Sequence, residues 1–364
     1  MPAKILQPTD KNINLIAKAL LRGEVAAIPT ETVYGLGGGV FIKDAISRIF
    51  GAKERPTFDP LIVHVSSELS DFTALEKIGL IESSHIPVAA ARAAEKLMDH
   101  FWPGPLTIVL PKSQKVPDLV TSGLPTVAIR MPSHPVAQTL LHRVVMPLAA
   151  PSANRFGRIS PTCAADVLSE LGEKIEFILD GGKSSIGIES TIVAFDVDVS
   201  SSSIWLLRPG GVSKQELEEV SGMRVYESHA SKVGSPPMAP GMLPSHYAPT
   251  KPLYLLPYPV ADFVVRRIKE AGIGPAAKIG LLIFSGDVAR AKDIFEKLSN
   301  HPVICQCLSP SGDIREAAHN LFSAIRGLDE SNAMLIFAEQ SPVNEGIGLA
   351  IQDRLARAAH RVFL

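Results

Sequence analysis

Several stretches of this sequence place hydroxyl or basic side chains directly after an apolar run. After Val25–Pro29 come Thr30-Glu31-Thr32-Val33-Tyr34 and then Gly35-Leu36-Gly37-Gly38-Gly39. Hydroxyls followed by glycines let backbone N–H groups approach a ligand, although the order matches neither the Walker pattern nor G-x-G-x-x-G, and a glycine-rich turn reads the same way. Lys53-Glu54-Arg55-Pro56 follows a helical stretch and runs through Asp59-Pro60 into Leu61. An ammonium and a forked guanidinium projecting from a Pro-bounded loop suit a polyphosphate. A solvated helix C-terminus, where cations are favoured, is the alternative. His64 lies inside the apolar run Leu61–Val65, where a satisfied core histidine is the plainer reading.

Further along, Val127-Ala128-Ile129-Arg130 ends a strand on a cation, and a buried arginine there wants a carboxylate or a phosphate. Leu148-Ala149-Ala150-Pro151-Ser152-Ala153-Asn154 is a strand leading into a loop of small polar residues, and Ser160-Pro161-Thr162 has the form of a helix start with Ser160 as cap. Such a helix N-terminus also suits an anion. Gly187–Thr191 and Arg208-Pro209-Gly210-Gly211 repeat the pattern of glycines, hydroxyls and a cation at strand ends. No Ser/His/Asp order, zinc spacing or paired carboxylates stand out. The theme is electrostatic stabilisation of a nucleotide rather than covalent catalysis.

These groups need rigid elements to hold them. Over residues 1–230 the pattern predicts strands at Val25–Pro29, Leu61–Val65, Leu106–Leu110, Val127–Met131, Ile175–Leu179, Ser190–Ala194 and Ile204–Leu207. It predicts helices at Asn12–Arg22, Ile42–Phe50, Ala89–His100, Pro135–Arg143 and Pro161–Leu171, and a loop at Ser200–Ser203. Ligands of open α/β sheets bind at strand ends, which is where the polar motifs fall. Residues 231–251 are Pro-rich, without period, and read as a spacer that also carries His246 and Tyr247. From 252 to 364 strands and helices alternate, from Pro252–Leu256 to a helix over Leu349–Val362, which implies a parallel sheet covered on both faces.

The chain has 364 residues, enough for two domains, and a net charge of −1. Residues 1–230 hold 22 Lys+Arg against 25 Asp+Glu, a net −3, which is no basic clamp for nucleic acid. Cys163, Cys305 and Cys307 have no redox or zinc spacing, and residues 1–10 show no secretory pattern. The apolar runs are too short to span a bilayer, so a cytoplasmic protein that does not enter membranes is expected.

Taken in order, PTETVYGLG, Lys53-x-Arg55-Pro56, Pro103–Thr107, Ala128–Pro132, Ala150–Asn154, Glu189–Val193 and Arg208–Gly211 resemble the threonylcarbamoyl-AMP synthase family in its long, two-domain form. The resemblance continues into Pro240–Pro249. It implies an open, twisted YrdC-like α/β domain with a large cavity over residues 1–230. It also implies a Pro-rich lid over 231–251 and a small Rossmann-like α/β/α domain over 252–364. The implied reaction is a nucleotidyl transfer joining L-threonine, bicarbonate and ATP, with Mg²⁺, to give threonylcarbamoyl-AMP and pyrophosphate. Its product feeds a separate transferase that modifies tRNA beside the anticodon. By matching motif, Lys53 and Arg55 would act on the ATP phosphates. Asp59, Thr126, Ser152, Asn154, Ser160, Arg208 and Tyr247 would line the nucleotide site. Thr32, His64, Arg130, Ala150 and Ser190 would hold threonine, and metal ligands are left unassigned. Asp59 stands where the family commonly has Asn, and Leu243-Pro244-Ser245 replace the lid's usual basic residues. The rival reading is an RNA-binding or ribosome-maturation protein with the same domain, for which weak RNA contact would suffice.

Overall fold

The computed structural model describes residues 2–195, 203–227, 246–256, 260–274 and 276–360. Ser200–Ser202, the Pro-rich segment as far as Ser245 and the expected helix end at Val362 lie outside these. The chain divides into two compact units, residues 1–156 with 160–243, and residues 244–364 with the short piece 157–159.

The first unit is built on strands β1 (Lys4–Leu6), β2 (Ala26–Ile28), β3 (Gly35–Gly39), β4 (Ile62–His64), β5 (Leu106–Pro111), β6 (Thr126–Arg130), β7 (Leu148–Ala149), β8 (Phe177–Leu179), β9 (Thr191–Phe195), β10 (Ile204–Arg208) and β11 (Val225–Glu227). They form one mixed sheet in the order β1-β8-β2-β3-β7-β4-β6-β5-β9-β10-β11. Central β4 and β6 run parallel, β5 is antiparallel to β6, and β9 is parallel to β5.

Side chains alternate between the faces of a strand, so the registers fix two faces. Val63, Ile108, Ile129, Val193 and Leu206 join the main core. There they meet Ile46 and Ile49 of helix Lys43–Lys53, and Leu97 and Met98 of helix Val88–Phe101. On the other face Ile62, Val109, Ala128, Ile192 and Leu207 make a smaller apolar floor. A separate core seats helices Asp10–Leu21 and Pro135–Val144 against β2 and β8. Thr9 caps the first of these, accepting the Asn12 N–H at 3.3 Å, and Ile13, Ile16, Ala17 and Leu20 are buried at helical spacing.

Two expectations change. The glycine run is a strand and no loop, because β3 lies where side chains would not fit. A Cβ on Gly39 would fall 2.4 Å from Met146 Cε, and one on Gly38 3.1 Å from Ile49 Cδ1. The helix expected from Pro161 begins at Ala164, behind Cys163. The Pro161 carbonyl accepts the Tyr34 N–H at 2.9 Å, and the Asp166 side chain takes the Thr162 and Cys163 N–H groups ahead of the helix. Ser160 is therefore no helix cap.

Among its described residues the second unit has four strands, β12 (Leu253–Leu255), β13 (Lys278–Ile283), β14 (Val303–Cys307) and β15 (Ala333–Ala338), all parallel in the order β12-β15-β13-β14. Ile279, Leu281 and Ile283 pack with Val264, Ile268 and Phe295 of helices Val260–Glu270 and Val288–Ser299. The intervening Gly280 faces Leu328 of helix Ile314–Glu330, so both faces are covered as expected. No helix among the described residues is long and apolar enough to cross a membrane.

Asp329 ties this unit together. Its carboxylate accepts the Thr250 hydroxyl at 2.6 Å and N–H at 3.0 Å and the Lys251 N–H at 2.9 Å, and it pairs with Arg158 at 3.1 Å. Burial pushes its pKa up, but the Thr250 and Lys251 donors and the Arg158 charge outweigh burial and hold it below the ordinary 3.8. A carboxylate with a depressed pKa contributes stability that is complete above the unfolded value and is lost as pH falls through the folded one. Asp329→Asn is therefore expected to melt several degrees below the parent at pH 6, with the gap closing below about pH 4. Thermal melts from pH 3 to 7 check this. A gap that does not change with pH would mean that the charge contributes nothing.

Candidate functional site

Registers gather the polar groups on the face that carries the apolar floor. Thr107 pairs with Arg130 and His64 with Arg130, so Thr107, His64 and Arg130 form one row across β5, β6 and β4. Ser190, just ahead of β9, meets Thr107, with 2.7 Å between their hydroxyl oxygens. Arg208 at the end of β10 donates through Nη2 to Ser190 Oγ and through Nε to the Ser190 carbonyl, both at 3.0 Å. The backbone after Arg208 comes so close that a Cβ on Gly210 would fall 2.3 Å from the Thr191 nitrogen. That is the physical reason for glycine there.

Arg130 is 3% exposed. Its Nε donates to the Gly104 carbonyl at 3.2 Å and its Nη1 to Thr32 Oγ1 at 2.7 Å. Its Nη2 lies 2.6 Å from Glu31 Oε1, a charge contact off the axis of a directed hydrogen bond. Thr30 shapes this loop by donating to the Val33 carbonyl at 2.6 Å and accepting the Thr32 and Val33 N–H groups. Burial, and then the neighbouring Arg130 charge, push the His64 pKa down to about 3 against a backbone hydrogen bond at Ile62. His64 is thus a neutral imidazole at working pH. Ala150 is buried and donates its N–H to the Ile62 carbonyl at 2.9 Å.

The cations expected to project from a loop point inward. Lys53 closes helix Lys43–Lys53, and the left-handed Glu54 that follows (φ 54°) turns the chain back. Lys53 is 1% exposed, and its Nζ donates to the Ser152 and Asn154 carbonyls at 2.5 Å each. Burial, and then the Arg55 charge, hold its ammonium well below the ordinary 10.5, with Asp59 and Glu170 opposing. Arg55 donates to the Asp59 carbonyl at 3.1 Å and the Pro60 carbonyl at 2.9 Å, and pairs with the Asp59 carboxylate at 2.7 Å. Asp59 is 0% exposed. Burial raises its pKa, and Arg55, Lys53 and Arg208 partly offset that rise.

Ser160 is buried and donates to Glu189 at 2.5 Å. The half-buried Thr126 opens β6, at the opposite end of that strand from Arg130. Because β4 and β6 are parallel with Ile62 opposite Ala128, Thr126 lies at the Asp59–Pro60 end. Asn154 is buried and Ser152 half-buried. Tyr247 belongs to the second unit, where its ring is buried with Phe322 at 5.4 Å and the Arg354 guanidinium at 5.5 Å. Among the described residues no group of three or more His, Cys, Asp or Glu could hold a metal. Sequence reasoning missed Glu31, Thr107 and Glu189.

Removing one partner of a buried ion pair leaves the other charge uncompensated, at a cost of about 3–5 kcal/mol. Arg55→Ala is therefore expected to lower the melting temperature strongly, contrary to what a solvated loop cation would give. Asp59→Asn keeps the volume and an acceptor and is expected to cost less. Melts of the two variants decide this, and an Arg55→Ala protein as stable as the parent would contradict the pairing.

A family model described as "Telomere recombination" matches residues 18–210, and one described as "Threonylcarbamoyl-AMP synthase, C-terminal domain" matches residues 212–360. Threonylcarbamoyl-AMP synthase of Pyrococcus abyssi is 40% identical over 351 residues, covering 95% of this chain and 94% of its relative. The Bacillus subtilis enzyme of the same name is 36% identical over 367 residues, covering 97% and 94%. The crystal structure of P. abyssi Sua5 complexed with L-threonine superposes with a TM-score of 0.80 at 37% identity, over 98% of each chain. The chain therefore belongs to the threonylcarbamoyl-AMP synthase family, in its long two-domain form.

Proposed function

We propose that this chain is a nucleotidyltransferase that makes threonylcarbamoyl-AMP and pyrophosphate from L-threonine, bicarbonate and ATP. The observation that carries the proposal is a row of buried polar groups on one face of the sheet. It passes from Arg130, paired in register with Thr107, through Ser190 to Arg208, whose charge acts on Asp59 beside Lys53 and Arg55. One end suits an amino-acid carboxylate and the other suits phosphates. The names of relatives aligned over nearly the full length favour this reading over an RNA-binding one.

In this reading Arg130 and Thr32 orient the threonine carboxylate, with His64, Ala150 and Ser190 around it. The threonine amine combines with bicarbonate to give a carbamate and water. A carbamate oxygen attacks the α-phosphorus, and the bond from that phosphorus to the oxygen bridging to the β-phosphate breaks, releasing pyrophosphate. No enzyme nucleophile is needed. Lys53, Arg55 and Arg208 supply a fixed positive field for the charge that develops on the phosphates, while Thr126, Ser152, Asn154 and Ser160 line the nucleotide. Asp59, the carboxylate amid these cations, is already paired with Arg55, so the residues do not fit a protein-built Mg²⁺ site. The ion would arrive on ATP. A contact from Tyr247 to the nucleotide is part of the same proposal. Action in the cytoplasm, supplying a tRNA-modifying transferase, is part of the same proposal.

Purified protein is expected to release pyrophosphate from ATP only when threonine and bicarbonate are both present. A coupled pyrophosphate assay with each component omitted in turn checks this. Equal release without threonine, or tight RNA binding with no ATP turnover, would overturn it.

A further inference from the structure

We propose that Glu31 is the ammonium-binding partner of Arg130, so that the two form a two-point receptor for the zwitterionic head of the amino acid. The inference rests on the threonine reading above and adds a residue to it. Glu31 is 4% exposed. Both of its carboxylate oxygens are buried without a hydrogen-bond donor among the described residues, and its one close partner is the off-axis Arg130 Nη2. The backbone cannot carry the side chain out to water easily. The Glu31 carbonyl accepts the Ile186 N–H at 2.7 Å, and Thr30 locks the turn on either side. A carboxylate held this way has acceptor capacity that the fold does not use.

An α-amino acid carries its carboxylate and its ammonium on one carbon. A carboxylate arriving at Arg130 would take the place of Glu31 Oε1, and the Glu31 charge would then need a new cation within a few ångströms. The ammonium of the same ligand is that cation. His64, on the same face, is neutral and supplies no charge for it. Glu189 already accepts Ser160. Arg130 and Glu31 pair with each other, which offsets the cost of burying both.

The test compares two ligands that differ only in the amine. Calorimetry measures L-threonine and (3R)-3-hydroxybutanoate, which is threonine without its amine, on the full chain and on Glu31→Gln. A lost charge-assisted hydrogen bond is expected to weaken threonine binding about 10- to 100-fold. The amine-free acid should change by less than about threefold, or tighten because Arg130 is released. If Glu31→Gln does not melt cooperatively, Glu31→Asp keeps the charge one methylene short and should show a smaller loss, again confined to threonine. Equal weakening of both ligands would overturn the proposal and leave Glu31 only positioning Arg130. Unchanged threonine affinity would also overturn it. A parent protein that binds no threonine would overturn the threonine reading itself, and this proposal with it.

Discussion

A cation taken out of water must be surrounded by acceptors, and that requirement organises the first unit. Among the described residues four cations lie buried there, and each is held by backbone carbonyls. Lys53 rests on Ser152 and Asn154, Arg55 on Asp59 and Pro60, Arg130 on Gly104, and Arg208 on Ser190. For all but Arg55, the carbonyls come from a different stretch of the sequence. A carbonyl satisfies a donor without cancelling its charge, so a cation held only by carbonyls keeps that charge for an anion. Asp59 pairs directly with Arg55, and Glu31 with Arg130. These contacts join segments far apart in the sequence.

The sheet makes the interlock possible. Strands only three to five residues long, such as β4 and β6, still pin His64 beside Arg130, because register and the two-residue period leave one choice of face. The opposite face has a large apolar core against helices, which fixes the strands that carry these side chains. Glycines act where backbones must nearly touch. Gly210 lets the segment after Arg208 lie on the Glu189–Thr191 backbone, which keeps Ser190 under the guanidinium.

Much of this could be read from the sequence. Arginine at the end of an apolar run was enough to place Arg130 and Arg208 at strand ends, and alternating strands and helices gave the parallel sheet of the second unit. What escaped depends on tertiary packing. Gly35–Gly39 look like a loop because the reason for bare backbone, Met146 and Ile49, lies elsewhere in the chain. Ser160 looks like a helix cap because nothing local shows that Tyr34 claims the Pro161 carbonyl. Lys53 and Arg55 look solvated because their acceptors include a loop about a hundred residues away. A signal for Glu31 was present: a strand-end arginine wants a carboxylate, and one acid stood between two threonines after the first strand. The strands β1 and β11, three residues each, carry too little alternation for the sequence to mark them.

The central claim is that these buried cations hold charge for a polyphosphate, and Lys53 tests it most directly. Its pKa is depressed, so on raising pH it loses its proton before an ordinary lysine does, and phosphate affinity should go with it. The measurement is a calorimetric titration of ATP at intervals from about pH 7.5 to 10, above the second phosphate ionisation near 6. The account predicts affinity that falls on the alkaline side well below the ordinary lysine value of 10.5, and a flat profile for Lys53→Arg, whose guanidinium does not titrate there. A parent profile as flat as that of the arginine variant would contradict it.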